Sequence, residues 1–210
     1  MKKLLFAAVA AVGLSATGAA AATLNGEFWN VAPNTIASVT QAINQVNGGA
    51  DPTTATFTST SINYGDAGTN WDIGSLSDFL NADAGSIVGT NSANIQESVF
   101  RLTGSVSLTT GDIINVTSDD GFRLTVGGVQ LNPGTTEGLQ GPGTSTNMTW
   151  TGATGVYAAE LWYFEGNETQ VQLQSNLTRY AVVVPVPASA LLLLTGLGGF
   201  AALRRRRKAA

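Results

Sequence analysis

Ser118-Asp119-Asp120-Gly121-Phe122-Arg123-Leu124-Thr125-Val126-Gly127-Gly128 is the stretch on which the fold turns. Phe122, Leu124 and Val126 alternate with Arg123 and Thr125, the two-residue period of a strand with one buried and one wet face. Gly127-Gly128 suits a two-residue hairpin, whose central positions need positive φ. Asp119-Asp120-Gly121 carries turn chemistry, since Asp side chains bond nearby backbone and Gly accepts unusual φ.

The same punctuation continues on both sides. Upstream, residues 99–108 lead through Thr109-Thr110-Gly111-Asp112 into a second run at 113–117. Downstream, Tyr157, Ala159, Leu161 and Tyr163 share one face of a strand; Glu165-Gly166-Asn167 and a last strand with Val171 and Leu173 follow. Trp162 falls on the opposite face, where it either stacks on a ligand ring or, as is commoner in two-sheet folds, packs in the core. A series of short antiparallel strands predicts a mainly β chain built as an antiparallel β-sandwich with one or two short helices.

The first half is less regular. Residues 23–30 read as an aromatic opening strand after a glycine turn at Gly26. Ile36, Val39, Ile43 and Val46 recur at helical spacing behind Asn34 as N-cap, and Asn47-Gly48-Gly49 ends the pattern. Residues 52–61, rich in Thr around Phe57, predict a half-buried strand. Residues 64–94 are dense in Gly, Asp, Asn and Ser and predict mostly loop, with a helical turn at Leu76, Phe79 and Leu80. Asp66, Asp72, Asp78 and Asp83 lack EF-hand spacing and read as solvated loop residues.

Both ends carry membrane-related signals. Lys2 and Lys3, an apolar stretch over 4–14 and small residues at 19–22 predict a signal peptide over 1–22. A sandwich domain over 23–178 and a linker over 179–187 follow. Residues 188–203 contain no charged side chain and predict a transmembrane helix, and Arg204, Arg205, Arg206, Arg207 and Lys208 in the tail 204–210 form a membrane stop on the inner side.

Seven of the ten Lys and Arg lie in these terminal segments, leaving Arg101, Arg123 and Arg179 against all fourteen Asp and Glu, a net −11. Such a surface repels phosphate backbones and attracts divalent cations, so no nucleic-acid partner is expected. The chain has neither His nor Cys, which excludes Ser-His-Asp and Cys-nucleophile chemistry, disulfides and the usual zinc sites. Carboxylate pairs are compatible with glycoside hydrolysis, but the expectation is a non-enzyme.

Val184-Pro185-Val186-Pro187-Ala188, the apolar helix and the basic cluster resemble, in that order, the PEP-CTERM class of bacterial sorting signals. That resemblance implies export, brief anchoring in the inner membrane, processing by an exosortase-type membrane protease and a final place at the cell surface or outside the cell. Residues 118–128, with Gly155-Val156-Tyr157, Tyr163-Phe164-Glu165-Gly166-Asn167 and the opening Leu24-Asn25-Gly26-Glu27-Phe28-Trp29, are similar to the protective-antigen-type β-sandwich domain. The stretch 36–89 fits that pattern less well, and Gly127 stands where the family often has Asp.

In lectin members of that family the paired aspartates bind calcium, often across a cis peptide, and the ion holds sugar hydroxyls. The resemblance therefore implies a metal site at Asp119 and Asp120, completed by Asn167, with calcium as cofactor and a glycan or exopolysaccharide as partner. Two functions fit: a surface or matrix protein that binds glycan, or a structural or protein-interaction protein whose aspartates only shape a turn.

Overall fold

The computed structural model describes residues 22–32, 35–49, 51–65, 75–92, 95–166 and 170–183. The signal peptide up to residue 21, Asn34, Asp66, Asp72, Asn167, the sorting motif from Val184 to Ala188, the apolar helix and the basic tail lie outside the described residues. Among the described residues no helix is long and apolar enough to cross a membrane.

The chain runs β1 (Leu24–Asn30), α1 (Val39–Asn47), β2 (Ala55–Ser59), β3 (Asn63–Tyr64), α2 (Leu76–Leu80), a 3₁₀ turn (Asn81–Ser86) and β4 (Val88–Gly89). It continues with β5 (Ser98–Leu108), β6 (Ile113–Asp119), β7 (Phe122–Val126), β8 (Val129–Gln130), β9 (Thr144–Thr149), β10 (Gly155–Glu165), β11 (Gln172–Ser175) and a second 3₁₀ turn (Leu177–Tyr180). Two sheets result, ordered β4-β2-β1-β5-β10-β7-β8 and β3-β11-β6-β9. Every strand pair in them is antiparallel. This is the expected sandwich.

The spine is the pairing of β5 with β10, in register from Leu108↔Gly155 to Ser98↔Glu165. Phe100, Leu102, Val106, Leu161 and Tyr163 point between the sheets and join one core with Ile114, Val116 and Leu173 of the smaller sheet. Gly127 and Gly128 take φ of 57° and 81°, as the hairpin required.

The outer face of the large sheet is covered in part by α1, which forms a second core. Val39, Ala42 and Val46 pack there with Trp29, Ile36, Val99, Trp162 and Phe164. Trp162 is thus a core residue, buried outside the sandwich and stacked on Trp29 with ring centroids 5.9 Å apart. The Arg101 guanidinium lies 5.2 Å from the Trp162 ring centre. The helix starts later than its periodicity suggested, because Ser38 is the N-cap, its Oγ accepting from the Gln41 N–H at 3.3 Å. Ile36 joins the same cluster from the segment before the helix.

Two other expectations change. Gly26 lies inside β1 rather than in a turn, paired with Phe57 and Leu102, and glycine is needed there because a Cβ would fall 2.3 Å from the Phe57 ring. The Gly- and Asp-rich stretch also supplies part of the core. Phe79 of α2 is fully buried between Phe100 and Tyr64, at centroid distances of 5.1 and 5.5 Å. Asp83 is buried rather than solvated, accepting from the Thr60 N–H at 3.1 Å and the Tyr64 hydroxyl at 2.7 Å. Asp78 is exposed, as expected, and bonds the α2 cap residue Ser75 at 2.6 Å.

The described chain ends meet at one end of the sheet. Leu24 packs against Gly104, and the last described residues bond to β5 through Val106↔Ala181 and the Val182 N–H to the Ser105 carbonyl, at 2.9 Å. The opposite end of β5, at Ser98, lies about 26 Å away at the rise of an antiparallel strand. That end holds Glu165 and the aspartate pair.

Candidate metal centre

Asp119 is the last residue of β6, in the small sheet, and Phe122 opens β7, in the large one. Asp120 and Gly121 make the corner between them, and the Asp119-Asp120 peptide is cis. Gly121 is required there: a Cβ would come within 2.5 Å of the Gly138 carbonyl oxygen and 2.8 Å of the Phe164 ring. The Phe164 N–H donates to the Gly121 carbonyl at 3.1 Å, fastening the corner to β10. One residue further along β10, Glu165 arrives at the same place.

Asp119, Asp120 and Glu165 are all essentially buried, and one carboxylate oxygen from each lies within 4.8 Å of the other two. Asp120 is held at both oxygens, accepting from the Gln140 N–H at 2.9 Å and the Gly166 N–H at 3.0 Å. The Gln140 side-chain amide donates to the Ser118 hydroxyl at 2.7 Å and to the Ser118 and Asp120 carbonyls at 3.1 and 3.2 Å. The Tyr163 hydroxyl donates to the Asp119 carbonyl. Asp119 Oδ2, in contrast, is buried with no hydrogen-bond partner. Among the described residues no Arg or Lys pairs with Asp119 or Asp120.

Leaving a buried carboxylate oxygen unsatisfied is costly. Burial, with the charge of Asp120 adding to it, pushes the Asp119 carboxyl up to about 7. Burial also raises Asp120, though its two backbone N–H donors act in the opposite direction. Tyr163 is driven far above its ordinary range, by burial first and then by the neighbouring carboxylates, so it stays a phenol and a donor. Three convergent hard oxygen donors suit a calcium- or magnesium-class ion. The donor set fits such an ion on the orphaned Asp119 oxygen alone.

The structure thus brings together two residues singled out from the sequence, Asp119 and Asp120. Glu165 is the residue that reading missed; its signal was its place in Tyr163-Phe164-Glu165-Gly166-Asn167, two residues before the asparagine favoured instead.

No protein-family model matches the chain, and no curated protein does. Among solved structures it is similar to a PA14 sugar-binding domain from an RTX adhesin, at 25% identity and a TM-score of 0.62, over 79% of this chain and 100% of that one. It is also similar to the PA14 domain of the antifreeze protein MpAFP, at 22% identity and a TM-score of 0.57, over 72% of this chain and 79% of that one. The fold is therefore that of these adhesin-like β-sandwich domains, in agreement with the resemblance read from residues 118–128.

Proposed function

We propose that this chain is an exported, surface-displayed binding protein without catalytic activity, whose sandwich holds glycans through calcium at Asp119, Asp120 and Glu165. The observation that carries the reading is the buried, unpartnered Asp119 Oδ2 on a residue that shares its corner with two further buried carboxylates, one oxygen of each of the three lying within 4.8 Å of the others. Similarity to a domain described as sugar-binding supports the choice of ligand. When bound, calcium supplies coordination positions that vicinal sugar hydroxyls can fill. The protein's own part is to preorganise the donors: Gln140 and Gly166 fix the Asp120 carboxylate, and the Tyr163 phenol fixes the backbone at Asp119. Asn167 follows Gly166 directly and is the further donor that the family resemblance implies.

Export and sorting belong to the same proposal. The signal peptide takes the chain across the inner membrane, the apolar segment holds it there, and an exosortase-type protease acts near Val184-Pro185-Val186-Pro187-Ala188. A domain tethered beyond Val183 turns its aspartate corner away from the support, because the described chain ends lie at the other end of β5. The test is retention of the full chain, purified in mild detergent, on arrayed glycans with calcium and with chelator. Binding that appears only with calcium is expected. Binding that is indifferent to chelator, or absent in both conditions, overturns the reading.

A further inference from the structure

We infer that the cavity between the segment leading into α1 and the loop at Leu139 is a recognition pocket for an uncharged saccharide ring, with Ala37 and Leu139 as its apolar wall. The inference rests on the glycan-binding reading and specifies what that site accepts. The cavity is about 250 Å³, just below the range of pockets for drug-sized ligands, and is lined among the described residues by Thr35, Ile36, Ala37, Gln41, Leu139 and Gly166. It adjoins the aspartate corner through two shared elements. Gly166 lines it and donates its N–H to Asp120 Oδ2; Leu139 lines it and precedes Gln140, whose N–H holds Asp120 Oδ1.

The walls are built in advance. The Ala37 N–H donates to Gln41 Oε1 at 2.8 Å, the Val39 N–H to the Glu137 carbonyl at 2.8 Å, and Ser38 bridges Gly138. Gly166 lets the two sides approach, since a Cβ there would fall 2.5 Å from the Ile36 carbonyl oxygen. Walls already bonded to one another leave less to order when a ligand binds.

Its chemistry selects neutral ligands. Among the described residues no charged side chain lines it, and the three carboxylates beside it, still net negative when they hold a divalent cation, disfavour an anion. Arg123, the arginine bonded to the same loop, is committed to Glu137 at 2.6 and 2.8 Å and to Thr40 at 2.8 Å, so it offers an incoming carboxylate little. Ala37 and Leu139 present carbon to the C–H face of a pyranose or to a methyl substituent, and Gln41 and Thr35 are the uncharged polar groups within reach of its hydroxyls.

The test uses the full chain and three variants, Ala37→Trp, which fills the cavity, Leu139→Asp, which charges its wall, and the milder Leu139→Gln. Probes are immobilised neutral hexosides, 6-deoxyhexosides and N-acetylhexosaminides beside their uronate and sialylated counterparts. Calcium-induced thermal stabilisation is measured in parallel. The expected result is wild-type retention of neutral probes only, weakened at least tenfold by Ala37→Trp and Leu139→Asp with the calcium shift unchanged. Equal retention of acidic probes, or unaltered binding by all three variants, overturns this inference and leaves the calcium site standing. If the wild type retains no probe in calcium, the glycan reading itself fails and this inference with it.

Discussion

Asp119→Asn should stabilise the metal-free protein while abolishing its response to calcium. The carboxyl stands at about 7 in the fold against 3.8 as an ordinary side chain. The folded chain therefore binds this proton more tightly than the unfolded one. The stability it contributes is fully present below about pH 4 and is lost as pH rises through 7, roughly 4 kcal/mol in all for a gap of that size. Of this, about 2–3 kcal/mol falls between pH 5 and pH 8 by the same linkage. Asn keeps the shape and one oxygen but cannot ionise, so its advantage over the wild type should widen by about that amount across the interval. For a domain of this length the widening corresponds to about 4–12 °C in Tm. Thermal unfolding in chelator at pH 5 and pH 8 measures it. Calcium at one hundred times its Kd should then add about 2.7 kcal/mol to the wild type at pH 8 and nothing to the variant. A gap that does not change with pH, or a variant that is the less stable form at pH 8 in chelator, would refute the argument that an unneutralised charge sits in this corner.

Three further outcomes follow from the packing around the site. Phe79→Ala removes a fully buried ring from between the sheets and should cost about 3–5 kcal/mol in urea unfolding. Gly121→Ala drives a Cβ against the Gly138 carbonyl and should cost at least about 1–3 kcal/mol and weaken calcium binding, both readable in one thermal titration. Gln140→Ala keeps the backbone bond to Asp120 but deletes the side-chain bonds to Ser118 and to the Asp120 carbonyl; calorimetry should find calcium bound about tenfold more weakly, on the scale of a lost supporting partner.

Local alternation made β7 and the inner face of β10 legible from the residues alone, because a buried strand face writes its period into the chain, and glycine punctuation marked off β5 and β6. Where two faces are buried the period fades. Leu161, Trp162, Tyr163 and Phe164 are all covered, one face by the sandwich and the other by α1, so Trp162 offered no sign of which core it joined. Composition misled for the stretch from Tyr64 onward: Phe79 and Asp83 occupy buried positions inside a turn-rich segment, and their partners Phe100, Thr60 and Tyr64 are fixed only by the fold. The aspartate pair was visible as a motif. Glu165 was not, since β10 brings it to the corner from 45 residues beyond Asp120 in the chain, which no local pattern records. Asn167 lies outside the described residues, and its part in the site stays with the proposal.

Calcium held by Asp119, Asp120 and Glu165 is what the proposed glycan binding depends on. Isothermal titration of the full chain with calcium at pH 8, beside an Asp119→Ala, Asp120→Ala double variant, measures that binding without any glycan. One saturable site is expected in the wild type and none in the double variant. A wild type that takes up no calcium at millimolar concentration, or a double variant that binds it equally well, would contradict it.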